Sequence, residues 1–568
     1  MPGNKGSLHV LDHLGQVRNV EWCNNHAFYF TCIDEQRRPH AVFRYDLNTH
    51  QLDKIYDEPD EAVFVDVSST KDNTFVLINC NTKHSSEIHA LRCGEEPSPP
   101  VLLRAREQGT SYFADHAAGQ FFLVTNADHA ANYKIAVCDD PPHHALWRTL
   151  LPESPDVKIE DVDLFERFLV VYERVQSMPR IRVCRLAEND GGTVGEIHVV
   201  PLPDQHALCR ITPGVNREPT SNRLRFSIST PLVPEIVYDY NLETRELTVL
   251  KETRVLGSPA KVKPGKKTAT RSKSTGTIPL LNVDRFTCRR KFVTSHDGVQ
   301  VPLTLLHRRD LDLRSGQNPT LLIGYGAYGT NLEADFELEH LSLLERGWIV
   351  AMAHVRGGGE LGLRWYHDGK QLNKMNTFRD FEACTDHLLD RQYTSPARLA
   401  GKGTSAGGLI MGYMANTHPH LFRAMILKVP FVDILETMQN PALPLTVHEY
   451  DEWGNPSDPK VFQYIQQYSP CANMVPSATY PSMLVTGSMN DIRVQFWEPV
   501  KWVHRLRRFH AAKQSAASTS SGDKPPLFLL RMSEDDGHFG GGGRLEQLQE
   551  AAMEYAFLYQ ALRLPFDE

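Results

Sequence analysis

The stretch Arg398-Leu399-Ala400-Gly401-Lys402-Gly403-Thr404-Ser405-Ala406-Gly407-Gly408-Leu409-Ile410-Met411-Gly412-Tyr413-Met414 runs from a short strand candidate, through a Gly-x-Ser-x-Gly turn, into an apolar helix. A nucleophile elbow needs that order: a strand ends, the serine sits on a tight turn, and a helix begins directly behind it. A serine hydroxyl is a weak nucleophile, so it must be presented beside a base. Small residues on either side let the turn close and the helix start pack tightly. The pattern alone recurs in ordinary Gly-rich turns, and its weight here comes from the strand before it and the helix after it.

Working outward, residues 286–568 alternate strand and helix. Leu321-Leu322-Ile323 and Trp348-Ile349-Val350-Ala351-Met352 are wholly apolar runs, as expected of parallel strands covered on both faces. Ala424–Leu427, Ser482–Val485 and Leu527–Leu530 are further strand candidates. Thr377 and Asp380 read as a helix-opening capping pattern, with Phe378, Phe381 and Leu388 on one face of that helix. The chain closes on an amphipathic helix with Leu545, Leu548, Ala552, Tyr555 and Leu562 at helical spacing. The expected unit is one α/β-hydrolase domain.

In such a domain the partners follow in the order serine, acid, histidine, each in a loop after a later strand. Ser482–Gly487 leads into Asp491, and Leu527–Arg531 leads into His538. With 25 histidines in the chain, position is what singles out His538, which stands between Gly537 and the run Gly540–Gly543. Asp491 reads as the acid, with helix N-cap ahead of Trp497 as its other reading. Glu534, Asp535 and Asp536 read as solvated loop charges. The expected catalytic set is therefore Ser405, Asp491 and His538, with the Ala406 N–H as first donor to an oxyanion. This chemistry calls for no metal and no organic cofactor.

Residues 1–285 have a different grammar, that of short strands bounded by Asp, Asn, Gly and Pro. A pair of apolar strands returns about every 45 residues, in units beginning near Val17, Ala62, Thr110, Val157 and His206. Periodicity alone leaves two architectures open, a propeller of about five blades and an irregular all-β meander. Lys261–Lys273 is basic and rich in Pro, Gly, Ser and Thr, and reads as a solvated loop rather than a targeting or anion-binding element. Ala511–Pro526 reads as a flexible insertion.

Composition narrows the function classes. Lys plus Arg number 61 against 69 Asp plus Glu, a net charge of −8, which is a poor footprint for nucleic-acid binding. No apolar run is long enough to span a membrane, and Met1–Ser7 has no secretory h-region. The ten cysteines form no C-x-x-C pair, so a reducing compartment, the cytoplasm, is the expected location.

Six motifs taken together resemble the prolyl oligopeptidase family of serine peptidases, and within it the oligopeptidase B branch. They are Tyr325–Gly329, His354–Glu360, Gly403–Gly408, Val429–Asp433, Glu452–Pro456 and Trp497–Pro499. The resemblance covers the whole C-terminal half and, more loosely, the N-terminal half, where it implies a β-propeller. It further implies hydrolysis of short peptides after Arg or Lys, so short basic peptides are the expected partners. Tyr325 takes the place of the second oxyanion donor. Glu449 and Asp451, with Glu333 and Asp335, take the places of acids that hold a basic side chain. Asp451 and Glu333 differ from the family pattern by one methylene. Phe431 matches an apolar pocket wall, and Arg493 a position that contacts substrate main chain. A guanidinium is best held by a carboxylate with an aromatic face beside it.

The family propeller has seven blades behind an N-terminal segment, so the expectation is a chain short by about two blades. A peptidase is the leading reading. An esterase or thioesterase, resembling the prolyl endopeptidase-like branch, is the second. A propeller-bearing interaction protein with an idle hydrolase half is the third.

Overall fold

Alternating inward and outward residues build the N-terminal half as a series of antiparallel meanders. The computed structural model describes residues 10–565 except 36, 95, 141–146, 188–192, 204–207, 254–282 and 517–524. Lys261–Lys273 and His206 thus lie outside the described residues. Among the described residues, five four-stranded sheets follow one another along the chain, with first strands at Val17–Trp22, Phe64–Ser69, Tyr112–Ala117, Val157–Leu164 and Arg210–Pro213. Each sheet packs face to face on the next. Tyr29 and Val42 of the first meet Val65, Val67 and Ile78 of the second. Phe168, Val183, Phe226 and Tyr238 join the fourth to the fifth. Burial between sheets rather than within one is what a propeller requires, and of the two architectures left open above this excludes the meander.

The C-terminal half is built on an eight-stranded sheet. Its strands are β1 (Phe286–Thr294), β2 (Gln300–Arg308), β3 (Thr320–Gly324), β4 (Ile349–Ala353), β5 (Leu399–Thr404), β6 (Ala424–Lys428), β7 (Ser482–Ser488) and β8 (Phe528–Ser533). The spatial order is β1-β2-β4-β3-β5-β6-β7-β8. The first two strands pair antiparallel and β3 to β8 run parallel. Helices α1 (Leu338–Glu345), α2 (Met375–Asp390), α3 (Ala406–Thr417), α4 (Thr446–Trp453), α5 (Trp497–Ala516) and α6 (Arg544–Leu562) cover the sheet and its C-terminal edge. Ile349, Ala351, Leu399, Met425 and Leu427 bury one face against Phe378, Phe381 and Ile410, and Val350, Ala400 and Ile426 bury the other against Leu344 and Leu558. This is the α/β-hydrolase arrangement, with ligands expected beyond the carboxyl ends of the parallel strands.

Three local expectations change. Thr377 and Asp380 lie inside α2 and do not cap it. The Thr377 hydroxyl donates to the carbonyls of Arg356 and Gly369 (2.8 and 3.1 Å), and Asp380 accepts the Arg356 guanidinium (2.6 and 2.8 Å). A buried ion pair outweighs capping here, because an unpaired Arg356, 3% exposed, would be far costlier than an uncapped helix end. Leu545 and Leu548 are exposed on α6, whose buried face begins at Glu554 and includes Phe557, Leu558 and Leu562. Glu554 can be buried because Lys402 and Lys428 pair with it. Finally, α5 continues through Ala516, so the first part of the expected insertion is helical. None of the helices described is long and apolar enough to cross a membrane.

Candidate active site

The turn between β5 and α3 puts Ser405 at φ 55° and ψ −117°, a conformation that costs of order 1–3 kcal/mol for a residue with a side chain. Backbone bonds hold it there: Ser405 N–H donates to the Lys428 carbonyl (2.8 Å), and the Ser405 carbonyl accepts from Gly408 and Phe431 N–H (2.8 and 3.1 Å). The flanking glycines are required by space. A Cβ on Gly403 would stand 2.1 Å from the Gly407 carbonyl oxygen, and one on Gly407 would stand 2.4 Å from that of Gly324. Gly403→Ala is therefore expected to lower stability by about 1–3 kcal/mol through overpacking and to cut activity at least about tenfold. Urea unfolding and turnover measured side by side check this, and a fully active variant of native stability would contradict it.

The loops after β7 and β8 bring the other two residues to the serine. His538 Nε2 lies 3.1 Å from Ser405 Oγ, and His538 Nδ1 lies 2.7 Å from Asp491 Oδ2. Asp491 does not cap α5. Its Oδ1 accepts the N–H groups of Arg493 and Val494 (2.8 and 3.0 Å), which leaves Oδ2 aimed at the imidazole. The two loops are tied to each other. Met489 N–H donates to the Ser533 carbonyl (2.8 Å), Asn490 Nδ2 to the Glu534 carbonyl (2.6 Å), and the Ser488 hydroxyl to the Asp536 carbonyl. Asp536 also accepts from the Ser533 hydroxyl (2.7 Å), so this acid has a structural part in the histidine loop. A histidine on a Gly-rich loop is thereby held against both partners.

The serine opens onto a cavity of about 1440 Å³ lined by both halves of the chain. Tyr325, Ala406, Phe431, Glu449 and Arg493 line it. The Ala406 N–H opens α3, where the chain offers no intrahelical acceptor, and it is available to an anion there. Burial and the carboxylates of Glu452 and Glu449 push the Tyr325 phenol up to about 12, so it stays a protonated donor. Phe431 packs on Trp453 (ring centres 5.4 Å apart), and the Arg493 guanidinium lies over the Phe539 ring.

Three expected acids are not brought to the cavity. Glu333 pairs with Arg174 (3.0 Å) and Asp335 with Arg210 (2.8 Å), both propeller residues, so these carboxylates serve the contact between halves. Asp451 and Glu449 are two positions apart on α4, and residues at that spacing face different sides of a helix. Around Asp451 the carbonyl gathers Lys370 and Gln371 (3.2 and 3.0 Å). The residue that shares the Glu449 face is Glu452, three positions on. It is fully buried, and accepts from Tyr328 N–H (2.9 Å) and the Tyr366 hydroxyl (2.5 Å). Helical spacing was the signal that could have found it.

Comparison with known proteins agrees with this architecture. Residues 9–253 match the model described as prolyl oligopeptidase, N-terminal beta-propeller domain, and residues 334–564 match the prolyl oligopeptidase family. The chain is 34% identical to a dipeptidyl aminopeptidase BI of Pseudoxanthomonas mexicana over 89% of its own length and 64% of that protein's. It is 33% identical to a prolyl endopeptidase-like protein of Xenopus laevis over 98% of its length and 74% of that protein's. Among solved structures, oligopeptidase B of Leishmania major superposes with a TM-score of 0.85 at 28% identity, covering 96% of this chain and 72% of that one.

Proposed function

Because the chain belongs to the prolyl oligopeptidase family, a family of serine peptidases, we propose that it hydrolyses short peptides on the carboxyl side of Arg or Lys. The observation that carries the hydrolytic part is the unbroken contact chain Ser405–His538–Asp491 at one cavity wall. Ser405 Oγ attacks the scissile carbonyl while His538 Nε2 takes its proton and then returns it to the leaving amine. Asp491 holds the Nδ1–H tautomer and stabilises the imidazolium. The Ala406 N–H and the Tyr325 hydroxyl receive the oxyanion. Water deacylates Ser405 by the same proton path in reverse. Glu449 holds the basic side chain, Phe431 walls its stem, and Arg493 steadies the substrate main chain.

We place the division between the halves at residues 285/286, supported by the start of the eight-stranded sheet at Phe286. A cytoplasmic location is supported by ten cysteines that are all unpaired.

A second reading, an ester or thioester hydrolase, is favoured by one feature: the Glu449 carboxylate already has a cationic partner, Lys83 (2.7 Å). One experiment separates the readings. The purified chain is treated with a fluorophosphonate and assayed on chromogenic peptides ending in Arg, Lys or Pro and on acyl thioesters. Labelling at Ser405 with cleavage after Arg and Lys is expected. Ester turnover with the peptides left intact would establish the second reading, and failure to label a folded sample would restore the non-enzymatic one.

A further inference from the structure

The hairpin between Phe75–Asn81 and Ser86–Arg92 of the second propeller sheet ends in Thr82-Lys83-His84-Ser85. Its tip is braced from within. Thr82 N–H donates to the Ser85 carbonyl (2.9 Å), and the Thr82 hydroxyl oxygen accepts the N–H groups of His84 and Ser85 (3.1 and 3.0 Å). The turn therefore presents Lys83 and His84 as a preset pair, and both end on the hydrolase half. His84 Nε2 is 3.3 Å from the Asp451 carbonyl oxygen and touches the Lys370 ammonium. Lys83 Nζ is 2.7 Å from Glu449 Oε1 and 4.7 Å from the centre of the Tyr328 ring. Beside them, the His448 ring of α4 packs 4.5 Å from that of Phe64.

The two oxygens of Glu449 are divided between the halves of the chain. Oε2 accepts from the Tyr328 hydroxyl and Trp453 Nε1, each at 2.9 Å, and both donors come from the hydrolase. Among the described residues, Oε1 faces only the propeller cation, Lys83. Lys83 and Glu449 line the same cavity as Ser405, and their side chains are only 16% and 18% exposed. A carboxylate anchored at one oxygen and offered at the other is built to receive one cation, with an aromatic face beside it. That is the seat required for a basic substrate side chain, and a residue of the chain itself occupies it.

Resting on the peptidase reading above, we propose that Lys83 is a specificity-determining residue: a tethered cation on the Glu449 seat that an incoming basic side chain must displace. Two cations within a few ångströms repel strongly in a partly buried site, so both do not bind Glu449 at once. Selection for basic residues is weaker than Glu449 alone would give. A neutral side chain enters without this competition.

The test uses the intact chain and reads the rate of fluorophosphonate labelling at Ser405 with n-butylguanidinium as competing cation. The neutral n-butylurea serves as its isostere. Lys83→Met is expected to strengthen protection by the guanidinium about tenfold and to leave protection by the urea unchanged. Lys83→Arg, which keeps the cation, is expected to behave as the native chain. Adding Glu449→Gln to Lys83→Met is expected to erase the gain. Lys83→Met alone should also raise the kcat/KM ratio of Arg-ended over neutral peptides. Unchanged guanidinium protection in Lys83→Met, or equal shifts for the guanidinium and the urea, would overturn the proposal. So would a fall in the unfolding midpoint with protection unaltered, which marks a purely structural lysine. If labelling proceeds but no variant cleaves peptides, the peptidase reading fails while the competition still decides the role of Lys83.

Discussion

Ser405→Ala is expected to lower kcat by about 10⁴- to 10⁶-fold, and Asp491→Asn by about 10⁴-fold, with KM and the unfolding midpoint little changed. The serine is half-buried at the end of a turn whose geometry is set by backbone bonds with Lys428, Gly408 and Phe431, none of which uses the hydroxyl. Removing Oγ therefore removes the nucleophile and leaves the elbow standing. Asp491 is more informative. An asparagine there keeps an oxygen for the N–H groups of Arg493 and Val494, so the loop is preserved. Its amide then turns an N–H toward His538 Nδ1, 2.7 Å away, and forces the proton onto Nε2. An imidazole protonated at Nε2 cannot take the proton of Ser405, 3.1 Å from it. Residues acting as a unit are not additive, so the double variant should lose no more than the worse single one. Steady-state kinetics with matched denaturation curves check all three. An Asp491→Asn variant within tenfold of native activity would remove Asp491 from the mechanism.

The parts of this site that were legible from sequence share one property: their position is decided by neighbours in the chain. Ser405 is set by the glycines beside it, and Asp491 and His538 by the strands that end just before them. Parallel β7 and β8 lie side by side, so loops leaving the same sheet edge must meet, however far apart they are in sequence. The repeat of the N-terminal half was legible for a similar reason, since each sheet is a local meander, whereas the packing between sheets that makes a propeller of them is long-range. Much of what was not legible depends on partners from the other half of the chain. Glu333 and Asp335 have the residue types expected of a cation-binding pair, and nothing local distinguishes a subsite acid from one that meets Arg174 or Arg210. Lys83 is the converse case: nothing beside it in the chain marks its partner, because the carboxylate it reaches lies on α4, in the other half of the chain. Asp380 and Thr377 depart from the capping pattern because capping is a weak, local preference, and the need to pair a buried Arg356 overrides it. Leu545 and Leu548 show the limit of helical periodicity, which marks an apolar stripe but not whether the sheet extends far enough to cover its first turns.

Tyr325→Phe is expected to lower kcat by about 10²- to 10³-fold at nearly constant KM, the cost of removing one preset oxyanion donor. The ring of the tyrosine and its contact with Tyr328, 6.5 Å between centres, survive in phenylalanine, so packing and substrate entry are kept. Only the hydroxyl is lost, and a donor aimed at charge that develops in the transition state contributes there and not in the ground state. The protonation state supports this division. Burial, with Glu452 and Glu449 nearby, raises the phenol from its usual value near 10 to about 12, which favours the neutral, donating form. A raised phenol stays protonated in the folded chain as pH rises through 10, so the donor is not lost there. Its contribution to stability is full below pH 10 and gives way as pH rises through about 12. The native and Tyr325→Phe enzymes should accordingly show pH–kcat curves of the same shape below pH 10, displaced by a constant factor. A difference that grows with pH in that range would mean that Tyr325 works as a titrating acid. A displacement seen in KM instead of kcat would place it in ground-state binding. Either result would leave the Ala406 N–H as the sole oxyanion donor assigned at this site.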